Sequence, residues 1–358
     1  MNVAVEKILN KKDLPLGTEC DAVLSSRVRL ARNLAEFPFP ARLNPAGQKK
    51  VIEKVNEAIG QIGAYEFIDF ASLSPTETGA LMEKRVVSLD FVKSPAEREL
   101  IADVENGLYV MVNEEDHLRI QSIRPGFSIY EAYEEANKFD NLADGRMEYA
   151  YNEDFGYLTQ CPTNLGTGLR VSVMLHLPAL TITRKLQAIT AELSKIGLTI
   201  RGFYGEGTEV GGDLYQISNS VTLGISEEQT LEKIKSVTGK LIELERGGRA
   251  ELMKSSPDIL KDKIKRAYGT MENAHMIGSP EFLSLYSLIR LGIGEGIIED
   301  IDCKTLDTLL VGAMPANLAL NSGGTGKNAD IARAVYAQSQ LSQKDTKDTE
   351  NTERGGMI

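Results

Sequence analysis

The spacing of apolar residues changes character once along this chain, near residue 225. Before that point, short runs suited to strands alternate with helical stretches; beyond it the helical period is nearly continuous. In the first part, SSRVRLARN reads as a strand with Arg27 and Arg29 on one face, because i and i+2 side chains of a strand point the same way. QKKVIEKVNEAIGQIG reads as a helix ended by Gly60 or Gly63. SPTETGALMEKR and SPAERELIADVENG each open with Ser-Pro, a start signal because proline is tolerated at the first helical position, and both are predicted helices. GLYVMVN and HLRIQSI predict neighbouring strands joined by the acidic NEED turn. SIYEAYEEANKF follows as a helix, RVSVML as a strand, LPALTITRKLQAITAELSKIG as one helix, and LTIRGFYG and LYQISN as two strands. Hairpin-like strands with flanking helices imply an α+β domain, an antiparallel sheet with helices on one face.

From Ser226 the run SEEQ has the form of a capping box and opens a long amphipathic helix that continues through Met253. Further helices are predicted over Ile259 to Tyr268, Pro280 to Leu291, Lys304 to Gly312 and Asp330 to Leu341. The expected organisation is an α+β domain over 1–225, a helical domain over 226–343 and a tail over 344–358 that lacks apolar periodicity and is expected to be disordered.

Composition narrows the class. With 42% apolar residues in 358 the chain can bury real cores, and no apolar run reaches the roughly 18 residues of a membrane span. The N-terminus MNVAVEKILNKKDLP is charged and amphipathic, unlike a signal peptide. Three widely spaced cysteines argue against a disulfide framework and against a zinc site, which points to a reducing compartment, most simply the cytoplasm. His117, His176 and His275 lack ligand spacing and read as structural. A net charge of -11 disfavours nucleic acid and suits a cationic acceptor.

The segment CPTNLGTGLR places Cys161, a turn with Gly166 and Gly168, and Arg170 within one short reach. A thiolate is useful where positive charge or oriented N–H groups lower its pKa, and the glycines permit a close backbone approach to a ligand. NEEDHLR adds Glu114, Glu115 and Asp116 beside Arg119, and RGFYGEG adds Arg201 and Glu206. Together with Arg27 and Arg29 this makes five arginines and paired carboxylates. Guanidinium forks match phosphate oxygens bidentately and keep their charge, so the inventory suits phosphoryl transfer from a nucleotide, achieved by alignment and electrostatics. GGTGKN, from Gly323 to Asn328, lacks the leading glycine and the final Ser or Thr of a P-loop, and GIGEG at Gly292 to Gly296 follows a helical pattern.

SSRVR, NEEDHLR, CPTNLGTGLR and RGFYGE, in this order, resemble the guanidino (phosphagen) kinase superfamily and, within it, the bacterial protein arginine kinases, over roughly residues 20 to 335. The small helical domain that precedes the arginine strand in kinases of free arginine or creatine is missing here, and a helical domain follows instead. That order implies an open cleft for an arginine displayed on a protein, with a small-molecule guanidino kinase as the alternative. The resemblance implies that ATP, with Mg, lies against Ser25, Ser26, Arg27, Val28 and Arg29, against Arg119, against Arg170, Val171, Ser172, Val173 and Met174, and against Arg201, Gly202, Phe203, Tyr204, Gly205 and Glu206. It implies that Glu115 and Glu206 hold the acceptor guanidinium and that Cys161 is the reactive thiol beside it. It further implies a homodimer, a role in marking misfolded proteins and a heat-shock repressor for the Clp protease, and a zinc-binding activator protein.

Two departures stand out. Relatives carry a nucleotide-site His near the position of Phe91, which is expected to stack on adenine instead. Their phosphoarginine-binding Arg-Asp-x-x-Arg-Ala motif becomes ADIARA here: Asp330, Arg333 and Ala334 match, while Ala329 replaces the first arginine. Weak phosphoarginine binding is expected, with Lys327 as a substitute cation, against a plain helical ion pair between Asp330 and Arg333.

Overall fold

The computed structural model describes residues 1–11, 17–60, 63–202, 211–322 and 328–342. Helices and strands follow in the order α1 (Val3–Leu9), β1 (Val23–Arg32), α2 (Pro45–Ile59), β2 (Glu66–Asp69), α3 (Pro75–Glu83), α4 (Leu89–Lys93), β3 (Glu99–Asp103), β4 (Leu108–Val112), β5 (Leu118–Pro125), α5 (Ile129–Asp144), β6 (Tyr151–Asn152), β7 (Gly156–Tyr157) and β8 (Leu169–His176). After these come α6 (Pro178–Ile182), α7 (Leu186–Lys195), β9 (Leu198–Gly202), β10 (Leu214–Asn219), α8 (Glu227–Ser255), α9 (Pro257–Asn273), α10 (Ser279–Gly294), α11 (Cys303–Gly312), α12 (Pro315–Ser322) and α13 (Ala329–Ser342). Eight strands form one antiparallel sheet in the order β2-β3-β4-β5-β1-β8-β10-β9, and β6 with β7 forms a separate hairpin.

β1 lies in the sheet interior, with Arg29 opposite Gln121 of β5 on one side and Arg170 of β8 on the other. Its pleat sends Val28, Leu30 and Arg32 to the face covered by α5, where Ala132, Ala136 and Phe139 are buried. Arg32 is itself buried there, paired with Asp140 at 2.7 Å and lying 3.5 Å from the Tyr157 ring. The opposite face is apolar only towards its β2 end. There Leu100, Ala102, Tyr109 and Met111 meet α1, α3 and α4 through Val5, Ile8, Leu81 and Phe91. Helices therefore cover both faces rather than one, and on the second face this apolar cover gives way to arginines over β5, β1 and β8. Amphipathic periodicity identifies a helix but not the face it covers.

Two predicted elements differ. SPAERELIADVENG holds strand β3, not a helix: Leu100, Ile101 and Ala102 are buried between β2 and β4, and a strand buried on both faces shows an apolar run without alternation. Long-range pairing overrides the local Ser-Pro signal. LPALTITRKLQAITAELSKIG divides into α6 and α7 at Arg184, which takes φ +56°.

The chain forms two compact units. One comprises Met1–Leu175, Lys185–Arg201 and Tyr215–Glu243; the other comprises the described parts of His176–Arg184, Gly202–Leu214 and Leu244–Ile358. The capping box before α8 is present: the Ser226 N–H donates to Gln229 Oε1 at 3.0 Å and the Gln229 N–H to Ser226 Oγ at 3.1 Å. In the second unit α10 packs on α9 and α11, and α13 on α9 and α12, around Ile264, Tyr286, Leu309 and Leu318. Arg290 is buried in this core and satisfied by Asp307 at 2.9 Å. No helix among the described residues is long and apolar enough to cross a membrane.

Candidate active site

Residues directly opposed in antiparallel strands share a face. Arg27 and Arg29 of β1 therefore lie beside Ser172 and Arg170 of β8, and Arg119 of β5 lies opposite Ala31, all on the face turned away from α5. Crowded cations in low-dielectric surroundings disfavour one another's charge. Burial, then repulsion from Arg85, Arg119 and Arg170, pushes Arg27 down to about 9. Arg29 is lowered well below its usual value by burial and then by Arg27, Arg119 and Arg170; Arg170 is lowered by burial and then by Arg201 and Arg119. Arg119 goes the other way: burial opposes its charge, but Glu114 at 2.5 Å outweighs that and holds it protonated. Arg27 donates to Gln216 Oε1 at 3.0 Å, whereas the buried Nε atoms of Arg29 and Arg170 have no hydrogen-bond partner among the described residues. Buried donors of this kind are costly unless an acceptor reaches them, and a polyphosphate is an acceptor of the right charge.

The acidic turn between β4 and β5 gives its three carboxylates different tasks. Glu114 is buried and accepts from Arg119 and from the Ser88 hydroxyl at 2.5 Å. Asp116, also buried, accepts the Gln160 N–H at 2.7 Å and Asn33 Nδ2 at 2.6 Å, which fastens the residue before Cys161 to the turn. All three border the pocket, and Glu115, the one of the three that is partly exposed, accepts from Asn164 Nδ2 at 3.2 Å. Cys161 Sγ lies 3.0 Å from Thr163 Oγ1. Arg29, Glu115, Arg119, Cys161, Asn164 and Arg170 line one cavity of about 140 Å³. Carboxylate, thiol and phosphate-matching cations thus meet in a single pocket.

The glycines of the Cys161 loop serve the loop's own packing. Gly166 has φ +107°, and a Cβ there would sit 2.4 Å from the Thr222 carbonyl oxygen; at Gly168, φ +64°, it would sit 2.6 Å from that of Ala31. The close approach anticipated for a ligand is made by the protein's own backbone.

Strand alternation divides the expected nucleotide set between two faces. Ser25, Arg27, Arg29, Arg170, Ser172 and Met174 belong to the arginine face, but Ser26, Val28, Val171 and Val173 point the other way and are buried. Ser26 Oγ is spent on the Gly126 carbonyl and the Ser128 N–H. Phe91 is fully buried, 4.6 Å from the Phe70 ring in the α3–α4 core, so it does not offer a face to adenine. The residue of this stretch that reaches the arginines is Arg85, which lies 3.9 Å from Met174 and is lowered to about 10 by burial. Its only sequence signal is a position just past a helix end. Arg201 belongs to β9 and its charge acts on Arg170; Gly202 ends that strand. Phe203, Tyr204, Gly205 and Glu206 lie outside the described residues.

His117 is structural: its Nδ1 accepts the Leu34 N–H, its Nε2 donates to the Pro38 carbonyl, and burial lowers its pKa to about 4. In the helical unit Arg333 is buried and donates to the carbonyls of Ile277 and Ala313 and to Asp330, at 2.7 Å, 3.2 Å and 2.7 Å. Ala334 is fully buried. This is the helical ion pair of the simpler reading, and Lys327 lies outside the described residues.

Residues 47–247 match the ATP:guanido phosphotransferase C-terminal catalytic domain, and residues 257–352 match the Protein-arginine kinase McsB C-terminal domain. A Protein-arginine kinase of Caldanaerobacter subterraneus subsp. tengcongensis is 43% identical over 332 residues, covering 91% of this chain and 98% of that protein. One of Bacillus subtilis is 41% identical over 332 residues, 91% of each chain. A crystal structure of lombricine kinase aligns with a TM-score of 0.59 and 26% identity, over 68% of this chain and 71% of its own. Both halves of the chain, the arginine-bearing sheet and the helices that follow it, thus place it in the protein-arginine kinase family of ATP:guanido phosphotransferases.

Proposed function

We propose that the pocket transfers the γ-phosphoryl group of MgATP to the guanidinium of arginine side chains in proteins. The observation that carries this reading is the juxtaposition of Glu115 and Cys161 with Arg29, Arg119 and Arg170 around one cavity. The arginine face takes the triphosphate, relieving the mutual repulsion of its cations. A guanidinium is a poor nucleophile while protonated. Glu115, fixed by Asn164, orients it and accepts a proton as nitrogen bonds to the γ-phosphorus and the bond to the β–γ bridging oxygen breaks, releasing ADP. Glu206 is proposed as a second carboxylate on the acceptor, and Cys161 as a thiolate complementing its charge. Among the described residues no three acidic, His or Cys groups converge as a metal cage, so Mg would enter with the phosphates it binds. The family resemblance supports a cytoplasmic homodimer acting in the stress response, with Clp protease components, a heat-shock repressor and a zinc-binding activator as partners.

Mass spectrometry under non-acidic conditions of a protein incubated with this chain and MgATP tests the reaction. Phosphate is expected on arginine, labile to acid. Phosphate only on Ser, Thr or Tyr, or only on added free arginine, would overturn the proposal.

A further inference from the structure

We infer that the β6–β7 hairpin and the adjoining Leu223 form an apolar, acid-flanked surface that receives the residues next to the target arginine, so that extended segments with large apolar neighbours are preferred; this rests on the acceptor proposed above. Tyr151, Phe155 and Leu223 are 59%, 51% and 46% exposed. Single exposed apolar residues are ordinary. These three are set apart by their attachment to the loop that carries Cys161. On one side, the Tyr157 N–H donates to the Gly166 carbonyl at 2.8 Å, and Gly156 and Gly166 approach so closely that a Cβ on the former would sit 2.5 Å from the latter's oxygen. On the other side, Thr222 Oγ1 donates to the carbonyls of Thr163 and Leu165 at 3.0 and 2.7 Å, and the Thr167 N–H donates to the Thr222 carbonyl. The loop that lines the pocket is therefore flanked by both apolar elements.

The display is preorganised. Asn152 Oδ1 accepts the N–H groups of Asp154 and Phe155 at 2.9 and 3.1 Å, Gly156 closes the turn at φ +72°, and Tyr157 is held between Arg32 and Tyr151. A fixed turn presenting a phenyl ring loses little side-chain freedom on binding, which favours recognition. Glu153 and Asp154 at the exposed tip add negative charge suited to a cationic segment. An extended acceptor advances about 3.3–3.6 Å per residue, and the positions assigned to this surface are those two or three residues from the arginine, about 7–11 Å away. The occupant is thus a segment of the acceptor protein itself.

The test compares two peptides, identical except for Leu or Ser two positions before and after a single arginine, by kcat/KM with the unaltered chain, Phe155→Ser and Leu223→Ser. The unaltered chain should favour the Leu peptide by about tenfold or more, a usual range for apolar contacts. Either exposed-site variant should cut that ratio to about twofold, with the Ser peptide unaffected. An unchanged ratio in both variants would overturn the inference while leaving the reaction intact. A shift from dimer to monomer in Phe155→Ser with the ratio unchanged would assign the patch to self-association and overturn it as well. Absence of phosphoarginine on either peptide would instead remove the acceptor assignment on which it rests.

Discussion

Glu114 offers the sharpest test of how the arginine face is held together. Replacing it by Gln keeps the shape of the side chain but removes the carboxylate paired with Arg119 among the described residues. The Glu114 side chain is 3% exposed and that of Arg119 is 21% exposed, with N–O separations of 2.5 Å and 2.6 Å and the Ser88 hydroxyl as a further donor. Breaking a fully buried ion pair costs about 3–5 kcal/mol, and losing a charge-assisted hydrogen bond about 1.5–3 kcal/mol. Arg119 borders the pocket and is partly rehydrated there, so the lower range applies and Glu114→Gln should destabilise the folded state by about 2–3 kcal/mol. The direction with pH follows from linkage. The Glu114 pKa is lowered from its usual 4.5: burial opposes the charge, but Arg119 and the hydrogen bonds outweigh it. Its contribution is then present above pH 4.5 and disappears as pH falls through the lower folded value. The gap between the two proteins in urea unfolding should therefore be full at pH 7 and close in stronger acid. A gap below about 0.5 kcal/mol at pH 7, the usual scale of surface changes, would show that Arg119 does not depend on Glu114.

Further outcomes follow from the same geometry. Glu115→Gln should lower turnover by about 10² to 10⁴, the usual range for losing a general base, with nucleotide affinity kept; Arg170→Ala should weaken nucleotide binding, and titration calorimetry beside rate measurements would expose a reversed assignment. Because the folded pKa of His117 is about 4, below the usual 6.5, the unfolded chain binds the proton first and stability declines as pH falls from 6.5 towards 4. Between pH 7 and pH 5 this loss is about 2 kcal/mol; His117→Gln should remove that part of the decline in thermal unfolding. Arg333→Ala strips donors from the Ile277 and Ala313 carbonyls and should destabilise the protein by about 2–4 kcal/mol. Phosphoarginine titrated into the unaltered chain should bind weakly, and Ala329→Arg should strengthen it; tight binding insensitive to Arg333→Ala would place the pocket elsewhere.

What the sequence determined by itself was local periodicity and motif chemistry. Alternation placed Arg27 and Arg29 on one strand face, the Ser226 capping box was readable from four residues, and CPTNLGTGLR and NEEDHLR supplied the pocket's thiol and carboxylates. Each depends on residues close in the chain. The tertiary structure decided what depends on partners distant in sequence. Pairing with both β2 and β4 made strand β3 of the segment whose Ser-Pro opening reads as a helix start. Cross-strand register, not motif spacing, brought Arg119 and Arg170 to either side of β1 and sent Ser26, Val28, Val171 and Val173 into the opposite face. Packing buried Phe91 and brought Arg85 into the arginine cluster, an exchange that no local pattern records. Three adjacent acids look equivalent in the sequence, but a turn points neighbouring side chains in different directions. Only the fold could give Glu114 to Arg119, Asp116 to the Cys161 loop and Glu115 to Asn164.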